Sequence, residues 1–230
     1  MITAVLALSS LLIPAQLSAQ MGNNSETTDN KKVIEWSAQN VPEILEVFGQ
    51  PNVIETKLGP AVEFNGVSDG VFVNSLPLKG MTEFTIEMIF NQYGQCPFEQ
   101  RFFHLGSMGA RVLFETRVLP DDTWYFDAYL NLGRPGEAVA IIDPELLHPT
   151  DRWYNVTMVA GPEGIKSYVN GELQGTSDLK FSPVFTEGIT SVGVRQNKVC
   201  WFKGAVYKVR FTDKVLEPKD FLTDYKELNR

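Results

Sequence analysis

The residues best suited to chemistry lie in two neighbouring runs, Arg111–Val118 and Thr123–Asn131. Successive side chains of an extended strand point to opposite faces, so Arg111, Leu113, Glu115 and Arg117 share one side of the first run. Tyr125, Asp127, Tyr129 and Asn131 share one side of the second. Paired as a hairpin, the runs would set guanidinium groups, carboxylates, an amide and two phenol rings side by side. That mixture suits a sugar: planar rings stack on C–H faces, while Arg, Asp and Asn hydrogen-bond hydroxyls in forked geometry. A solvated sheet face held by cross-strand Arg–Glu pairs would show the same residues. A second polar-aromatic group, Arg195, Asn197, Lys198 and Trp201, falls in an expected loop. There Trp201 can stack on a sugar or plug the sandwich edge beside Cys200.

Catalysis has weaker support. A retaining glycosidase needs two carboxylates about 5 Å apart, a distance that positions i and i+2 of one strand can supply. Glu83-Phe-Thr-Ile-Glu87 has Thr85 where the middle acid would stand. Glu115 and Asp127 would meet only as neighbours on two strands. A lyase needs a Tyr or His base and a cation to neutralise a uronate; His104, Arg101, Arg117, Tyr125 and Tyr129 are of the right types. The two histidines are unpromising. His148 precedes Pro149 in an expected loop, and His104, within Phe102-Phe-His-Leu105, reads as a strand histidine bonded to backbone. No Ser-His-Asp arrangement, phosphate loop or dinucleotide fingerprint is present. No catalytic residue is assigned.

These faces need strands to carry them, and the chain supplies strands. Short runs of Val, Ile, Phe, Tyr and Thr are broken by Gly, Pro, Asn and Asp. Phe84, Ile86, Met88 and Phe90 would share one face of a strand, and Val112, Phe114, Thr116 and Val118 another. Trp124, Phe126, Ala128 and Leu130 would oppose the Tyr125 side, so each of these strands is expected to bury one side only. Further strands are expected at Trp153–Ala160, Ile165–Val169, Thr190–Val194 and Ala205–Phe211, with turns at Gly161–Gly164, Asn170–Gly171 and Asp121–Asp122. Two helices are expected: Asn40–Gly49, with Pro42 early and Gly49 just past its end and a strand as the rival reading, and Glu217–Leu228. Many short strands with turns between them mean a sandwich or a barrel.

Composition sets the outer limits. The 230 residues suit one all-β domain, and 43% hydrophobic with 11% aromatic residues can fill its core. The net charge of −8 argues against nucleic acid and anionic membrane surfaces, which need clustered cations. Met1–Gln20 has no charged residue or histidine, and its apolar stretch is too short to span a bilayer. Residues 1–19 therefore read as a signal peptide, 20–32 as a disordered linker, and 33–230 as the domain. The mature protein is expected to be secreted or periplasmic, without membrane insertion. Its two cysteines, Cys96 and Cys200, permit a disulfide but do not require one.

Three stretches resemble the laminin-G-like family of concanavalin A-like jelly rolls. Ala61-Val-Glu-Phe-Asn-Gly-Val-Ser-Asp-Gly-Val-Phe-Val73, followed by Phe84-Thr-Ile-Glu87, looks like the family's opening hairpin. Arg152-Trp-Tyr-Asn-Val-Thr-Met-Val-Ala160 and Lys166-Ser-Tyr-Val-Asn-Gly-Glu-Leu-Gln-Gly175 are similar to its W-x-x-V strand and Y-V-(D/N)-G turn. Phe202-Lys-Gly-Ala-Val-Tyr-Lys-Val-Arg-Phe211 with Val215-Leu-Glu-Pro218 looks like its closing strand and tail. The likeness spans roughly 60–221 and implies a two-sheet antiparallel jelly-roll sandwich with one or two short helices. Gly66 and Gly171 should serve turns, and Trp153 and Phe211 the inter-sheet core.

The resemblance also marks departures. Family members often carry acids in the opening loop and the closing strand, and some bind calcium there. Here the opening loop keeps Asn65 and Asp69, but the closing strand reads Val206-Tyr207-Lys208. Calcium takes six or more oxygen ligands, so this exchange argues against it, and no cofactor or metal is expected. The primary reading is an exported, lectin-like carbohydrate-binding module without catalytic activity, its polysaccharide or glycan lying on the concave sheet face. The alternatives are a protein-interaction or surface-assembly domain, and a polysaccharide hydrolase or lyase.

Overall fold

The computed structural model describes residues 32–230. The expected leader, and the expected linker except for Lys32, lie outside the described residues. The strands run in chain order as β1 (Val33–Ser37), β2 (Ile44–Phe48), β3 (Asn52–Thr56), β4 (Gly59–Asn65), β5 (Gly70–Val73) and β6 (Phe84–Gln92). Next come β7 (Glu99–Gly106), β8 (Ala110–Val118), β9 (Thr123–Leu132), β10 (Ala138–Ile142) and β11 (His148–Pro149). β12 (Trp153–Gly161), β13 (Gly164–Val169), β14 (Glu172–Ser177), β15 (Ile189–Val192) and β16 (Lys203–Thr212) complete the set. A 3-10 turn, Pro218–Asp220, and helix α1 (Asp224–Leu228) follow.

They form two antiparallel sheets packed as a jelly-roll sandwich. The first has the order β14-β13-β12-β6-β16-β4-β3, with β1 joining β16 beside β4. The second has the order β10-β9-β8-β7-β15-β5-β2, with β11 on β9. Between them lie Phe84, Ile86, Met88 and Phe90 from the first sheet and Val112, Phe114, Val118, Trp124, Phe126, Ala128 and Leu130 from the second. These are the alternating sets expected from the sequence, because the period of a strand assigns every second residue to the core. Phe90 and Phe102 stack across the interior, with centroids 4.6 Å apart and planes within 5°. Thr116 Oγ donates to Gln92 Oε1 at 2.6 Å, a polar link from one sheet to the other inside this apolar layer.

Four expectations are corrected. Asn40–Gly49 is not a helix: Ile44–Phe48 pairs with β5 as an edge strand and stops at Gly49, whose φ is +63°. Ten residues holding a proline cannot stabilise a helix alone, whereas the β5 ladder supplies partners to β-branched and aromatic side chains. Glu217–Leu228 is not one helix but the 3-10 turn and then α1. β6 buries both sides, not one, as does its neighbour β12. Trp153 does not enter the inter-sheet core; it points outward from the first sheet, where it packs with Ala61, Ile89, Ala205 and Tyr207 under Leu222, Tyr225 and Leu228. The C-terminal tail thus acts as a partial third layer.

That tail is fastened by the strand read as resembling glycanase carboxylates. Leu216 N donates to Thr85 Oγ and Leu222 N to Glu87 Oε1. Glu87 is fully buried and is paired by Arg210. These groups are occupied as structural clamps. The two hairpin turns sit as expected: Gly164 has φ +125°, and Asn170 and Gly171 have φ +54° and +84°, the positive pair that a two-residue hairpin turn requires.

Candidate functional site

The outward face of the second sheet carries the residues singled out first. β8 and β9 pair with Arg111 opposite Asn131, Leu113 opposite Tyr129, Glu115 opposite Asp127 and Arg117 opposite Tyr125. β7 adds Glu99 opposite Arg117, Arg101 opposite Glu115, and His104 opposite Leu113. A bulge between Arg101 and Phe103 makes this possible. It lets Phe102 and Phe103 both enter the core while Arg101 and His104 both stay outside, which strict alternation would forbid. On the other flank, β10 places Ala138 opposite Asn131, Ala140 opposite Tyr129 and Ile142 opposite Asp127, all three exposed. Two alanines on an edge strand leave the Tyr129 ring open from the side.

The centre of the face is filled by its own charges. Arg101 Nη2 lies 3.0 Å from Glu99 and its Nε lies 3.1 Å from Glu115. Arg117 lies 2.9 Å from Glu115 and 2.5 Å from Asp127. Glu115 and Asp127 are each only 4% exposed, so the chain of five groups is dry at its centre and opens to solvent only at Glu99, whose side chain is 40% exposed; the centre offers a ligand little. Glu115, Arg117 and Asp127 thus hold one another. Asp127 Oδ1 has no hydrogen-bond partner, and burial, outweighing the pull of Arg117, lifts the Asp127 carboxyl to about 6.

That shift has a sign. A carboxyl that holds its proton more tightly when folded adds stability below its unfolded value and loses it as pH rises toward 6. Asp127 should therefore withdraw on the order of 2–3 kcal/mol between about pH 4 and pH 6. His104 opposes it: burial holds this imidazole down to about 4, so its contribution grows as pH rises through the same range. The Asp127 part is isolated by comparing wild type with Asp127→Asn in urea unfolding at several pH values. The difference between the two should change with pH in this window and be flat above it.

The two ends of the face differ. At one, Tyr125 meets the exposed Phe98 ring edge to face at 6.4 Å. Phe98 also borders a cavity of about 370 Å³ lined with Cys96, Val118, Leu119 and Pro120. At the other end Arg111 lies over the Tyr129 ring, 5.0 Å from its centroid, and Asn131 Nδ2 donates to the Tyr129 hydroxyl at 3.3 Å. The loop after β15 brings Arg195 to this end, because Gln196 N donates to His104 Nδ1 and Gln196 Nε2 donates to Gly106 and Ile189 carbonyls. His104 is fully buried and its Nε2 is 3.2 Å from Ser107 O, the backbone-bonded strand histidine expected.

Trp201 does not join the face. It sits half-buried against Phe48, at 6.2 Å, and close to Gly70; Lys198 Nζ lies 4.1 Å from the Phe48 ring centre. Asn197 is exposed in the same loop. Both cysteines are free thiols. Burial pushes Cys96 up to about 11 and raises Cys200, whose Sγ donates to Glu99 at 3.2 Å, so neither is a reactive thiolate. Sequence reasoning missed Glu99 as a member of the network and the opening beside β10. The bulge in β7 breaks the alternation that would have revealed the first.

The groups that would hold calcium are otherwise engaged. Asp69 accepts Gln50 N at 2.9 Å and Asn65 N at 3.0 Å, while Asn65 Oδ1 accepts Val67 N and Ser68 N. Tyr207 bonds Leu58 O and Lys208 pairs with Asp224. These residues do not fit a calcium ion. Among the described residues no three His, Cys, Asp or Glu side chains gather into a metal-sized group.

A family model described as the Concanavalin A-like lectin/glucanases superfamily matches residues 65–220. The chain belongs to this superfamily. The match covers the three stretches whose resemblance the sequence showed, apart from the first residues of the opening hairpin. Among curated proteins none matches the chain. Solved structures share the fold at low identity. A native heptameric SAP-like pentraxin from Limulus polyphemus is 17% identical over 68% of this chain and 76% of its own, with a TM-score of 0.52. Domain 4 of AbnA, an extracellular GH43 arabinanase from Geobacillus stearothermophilus, solved with arabinotriose, is 16% identical over 86% of this chain and 88% of its own, with a TM-score of 0.51. The botulinum neurotoxin serotype D binding domain is 16% identical over 79% of this chain but 46% of its own, with a TM-score of 0.57. At these identities the likeness is one of fold alone. Among the described residues no helix is long and apolar enough to cross a membrane.

Proposed function

We propose that the protein is an exported carbohydrate-binding, lectin-like module that holds a glycan on the outward face of its second sheet. The observation that carries this reading is the open end of that face. There the Tyr129 ring, with Arg111 and Asn131 beside it, is bordered by Ala138 and Ala140 rather than by bulky side chains. A ring open from one side with forked donors next to it suits a sugar's C–H face and hydroxyls. The superfamily and the arabinotriose complex of a neighbour with the same fold support it. Tyr125 and Phe98 extend the surface at the far end, so the glycan would cross over the ion network rather than into it. Leader removal after residue 19 would deliver the domain to the periplasm or beyond.

The test is a glycan array and polysaccharide pull-down with purified protein, with and without calcium. Selective retention that ignores calcium is the expected result. Tyr129→Ala should weaken retention about tenfold, about 1.4 kcal/mol, and Tyr125→Ala somewhat less, with melting temperature little changed. Unchanged binding in both variants would move the site elsewhere. Release of reducing ends or unsaturated products would instead establish a catalyst. Glu115 and Asp127, directly opposed with Asp127 raised to about 6, would then be its first suspects.

A second reading rests on one observation. Ile44, Leu45 and Val47 are about half exposed on β2, the edge of the second sheet. An apolar edge strand is a surface another chain can extend, so absence of any glycan would turn the search to a protein partner.

A further inference from the structure

Four arginines, Arg101, Arg111, Arg117 and Arg195, stand on or over the outward face of the second sheet, and three carboxylates, Glu99, Glu115 and Asp127, stand with them. All three acids are taken up by Arg101 and Arg117. No ion pair is present for Arg111 or Arg195 among the described residues. Arg111 spends itself on neutral partners, donating to the Met108 carbonyl and lying 3.5 Å from the Tyr129 hydroxyl. The Nε atoms of Arg101, Arg111 and Arg195 are all buried and without a hydrogen-bond partner, but that of Arg101 lies 3.1 Å from a Glu115 carboxylate oxygen, whereas those of Arg111 and Arg195 face no acid in an ion pair.

The two guanidinium groups also sit close enough to disfavour each other. Burial first, then Arg101 and Arg111, hold the Arg195 guanidinium below its ordinary range. His104, the titratable group beneath them, is held down to about 4 by burial first and then by Arg195 and Arg111, so near neutral pH it adds no third positive charge. Glu115 lends Arg195 some attraction, but it is already paired by Arg101 and Arg117, so the unsatisfied N–H groups of Arg111 and Arg195 cost free energy that an anion would relieve.

We infer that Arg111 and Arg195 form an anion subsite that takes a carboxylate or sulfate group of an acidic glycan, with the adjacent Tyr129 ring and Asn131 holding the sugar that bears it. The inference rests on the glycan reading above and narrows it to a ligand class. Planar guanidinium groups match the oxygens of either anion in forked pairs, which a neutral hydroxyl does not require. The ion network beside the subsite keeps Arg101 and Arg117 committed, so selectivity falls to the two free arginines.

The experiment uses the full chain and three polymers: polygalacturonate, dextran sulfate and neutral laminarin, each titrated by calorimetry at two salt concentrations. In parallel, Arg Nε–H resonances are followed by NMR during titration with sodium sulfate. Wild type should prefer an acidic polymer to laminarin, with affinity falling as salt rises, and the acidic polymer it prefers identifies carboxylate or sulfate. Arg111→Gln and Arg195→Gln should each weaken acidic-polymer binding about tenfold to hundredfold, the size of a lost charge-assisted contact. Arg195→Lys should fall between, because it keeps the charge and loses the fork.

Equal, salt-insensitive binding of all three polymers would overturn the anion subsite and leave the glycan reading standing. Sulfate-dependent shifts at Arg111 and Arg195 without retention of any polymer would keep the anion subsite and overturn the glycan. Neither shifts nor retention would overturn both.

Discussion

Replacing Arg117 by Met is expected to remove about 3–5 kcal/mol of unfolding free energy at pH 7.5. Arg117 is the cation shared by two nearly buried carboxylates, Glu115 at 2.9 Å and Asp127 at 2.5 Å, which lie directly opposite each other on adjacent strands. Methionine fills similar space but leaves both charges facing each other in a dry setting, where like charges cannot both remain ionised cheaply. Lowering the pH should therefore restore much of the loss, because Asp127 already titrates near 6 and would titrate higher without its cation. Urea unfolding at pH 7.5 and pH 5.0 measures this directly. A loss that is the same at both values would mean that Asp127 is not the group taking the proton. A loss under about 1 kcal/mol would mean that the network is hydrated and behaves as an exposed pair.

Arg210→Met should cost a similar amount, about 3–5 kcal/mol, for a different structural reason. Glu87 is fully buried; Arg210 Nε reaches it at 2.6 Å and Arg210 Nη2 at 2.5 Å, while Leu222 N donates to its other oxygen. Arg210 also donates to Asp220 O in the tail at 2.9 Å. Removing it strands a buried charge and loosens the segment that covers Trp153, Tyr207 and Ile89. Two readouts follow: a lower urea midpoint, and cleavage by protease within residues 213–230 at concentrations the wild type resists. Stability loss with an intact, protected tail would mean that the tail is held by its apolar contacts alone. Because Glu87 lies under the tail of the first sheet, neither result should affect glycan retention on the second.

The contrast between these two charge clusters shows where the sequence was readable. The alternation of Phe84–Phe90, Arg111–Val118 and Thr123–Asn131 assigned core and outward faces because the strand period is a local property of the backbone. The Asn170–Gly171 turn and the three family-like stretches were legible for the same reason: they need particular backbone angles or apolar spacing at fixed positions. The polar side of the first strand was misleading. Thr85 and Glu87 look available in sequence, but they are spent on a tail more than a hundred residues away.

What the sequence alone determined is the sheet-forming pattern, the acidic overall charge and the residues of β8 and β9 that share the outward face. Only the tertiary structure decided which of those residues remain open. The bulge in β7 kept Arg101 outside beside Glu115, and so turned Glu115, Arg117 and Asp127 from candidate sugar ligands into a self-satisfied network. The loop after β15, tied through Gln196 to His104, carried Arg195 to Arg111 and sent Trp201 to the edge instead. Pairing between distant segments is set by packing and closure of the two sheets, which no window of neighbouring residues contains.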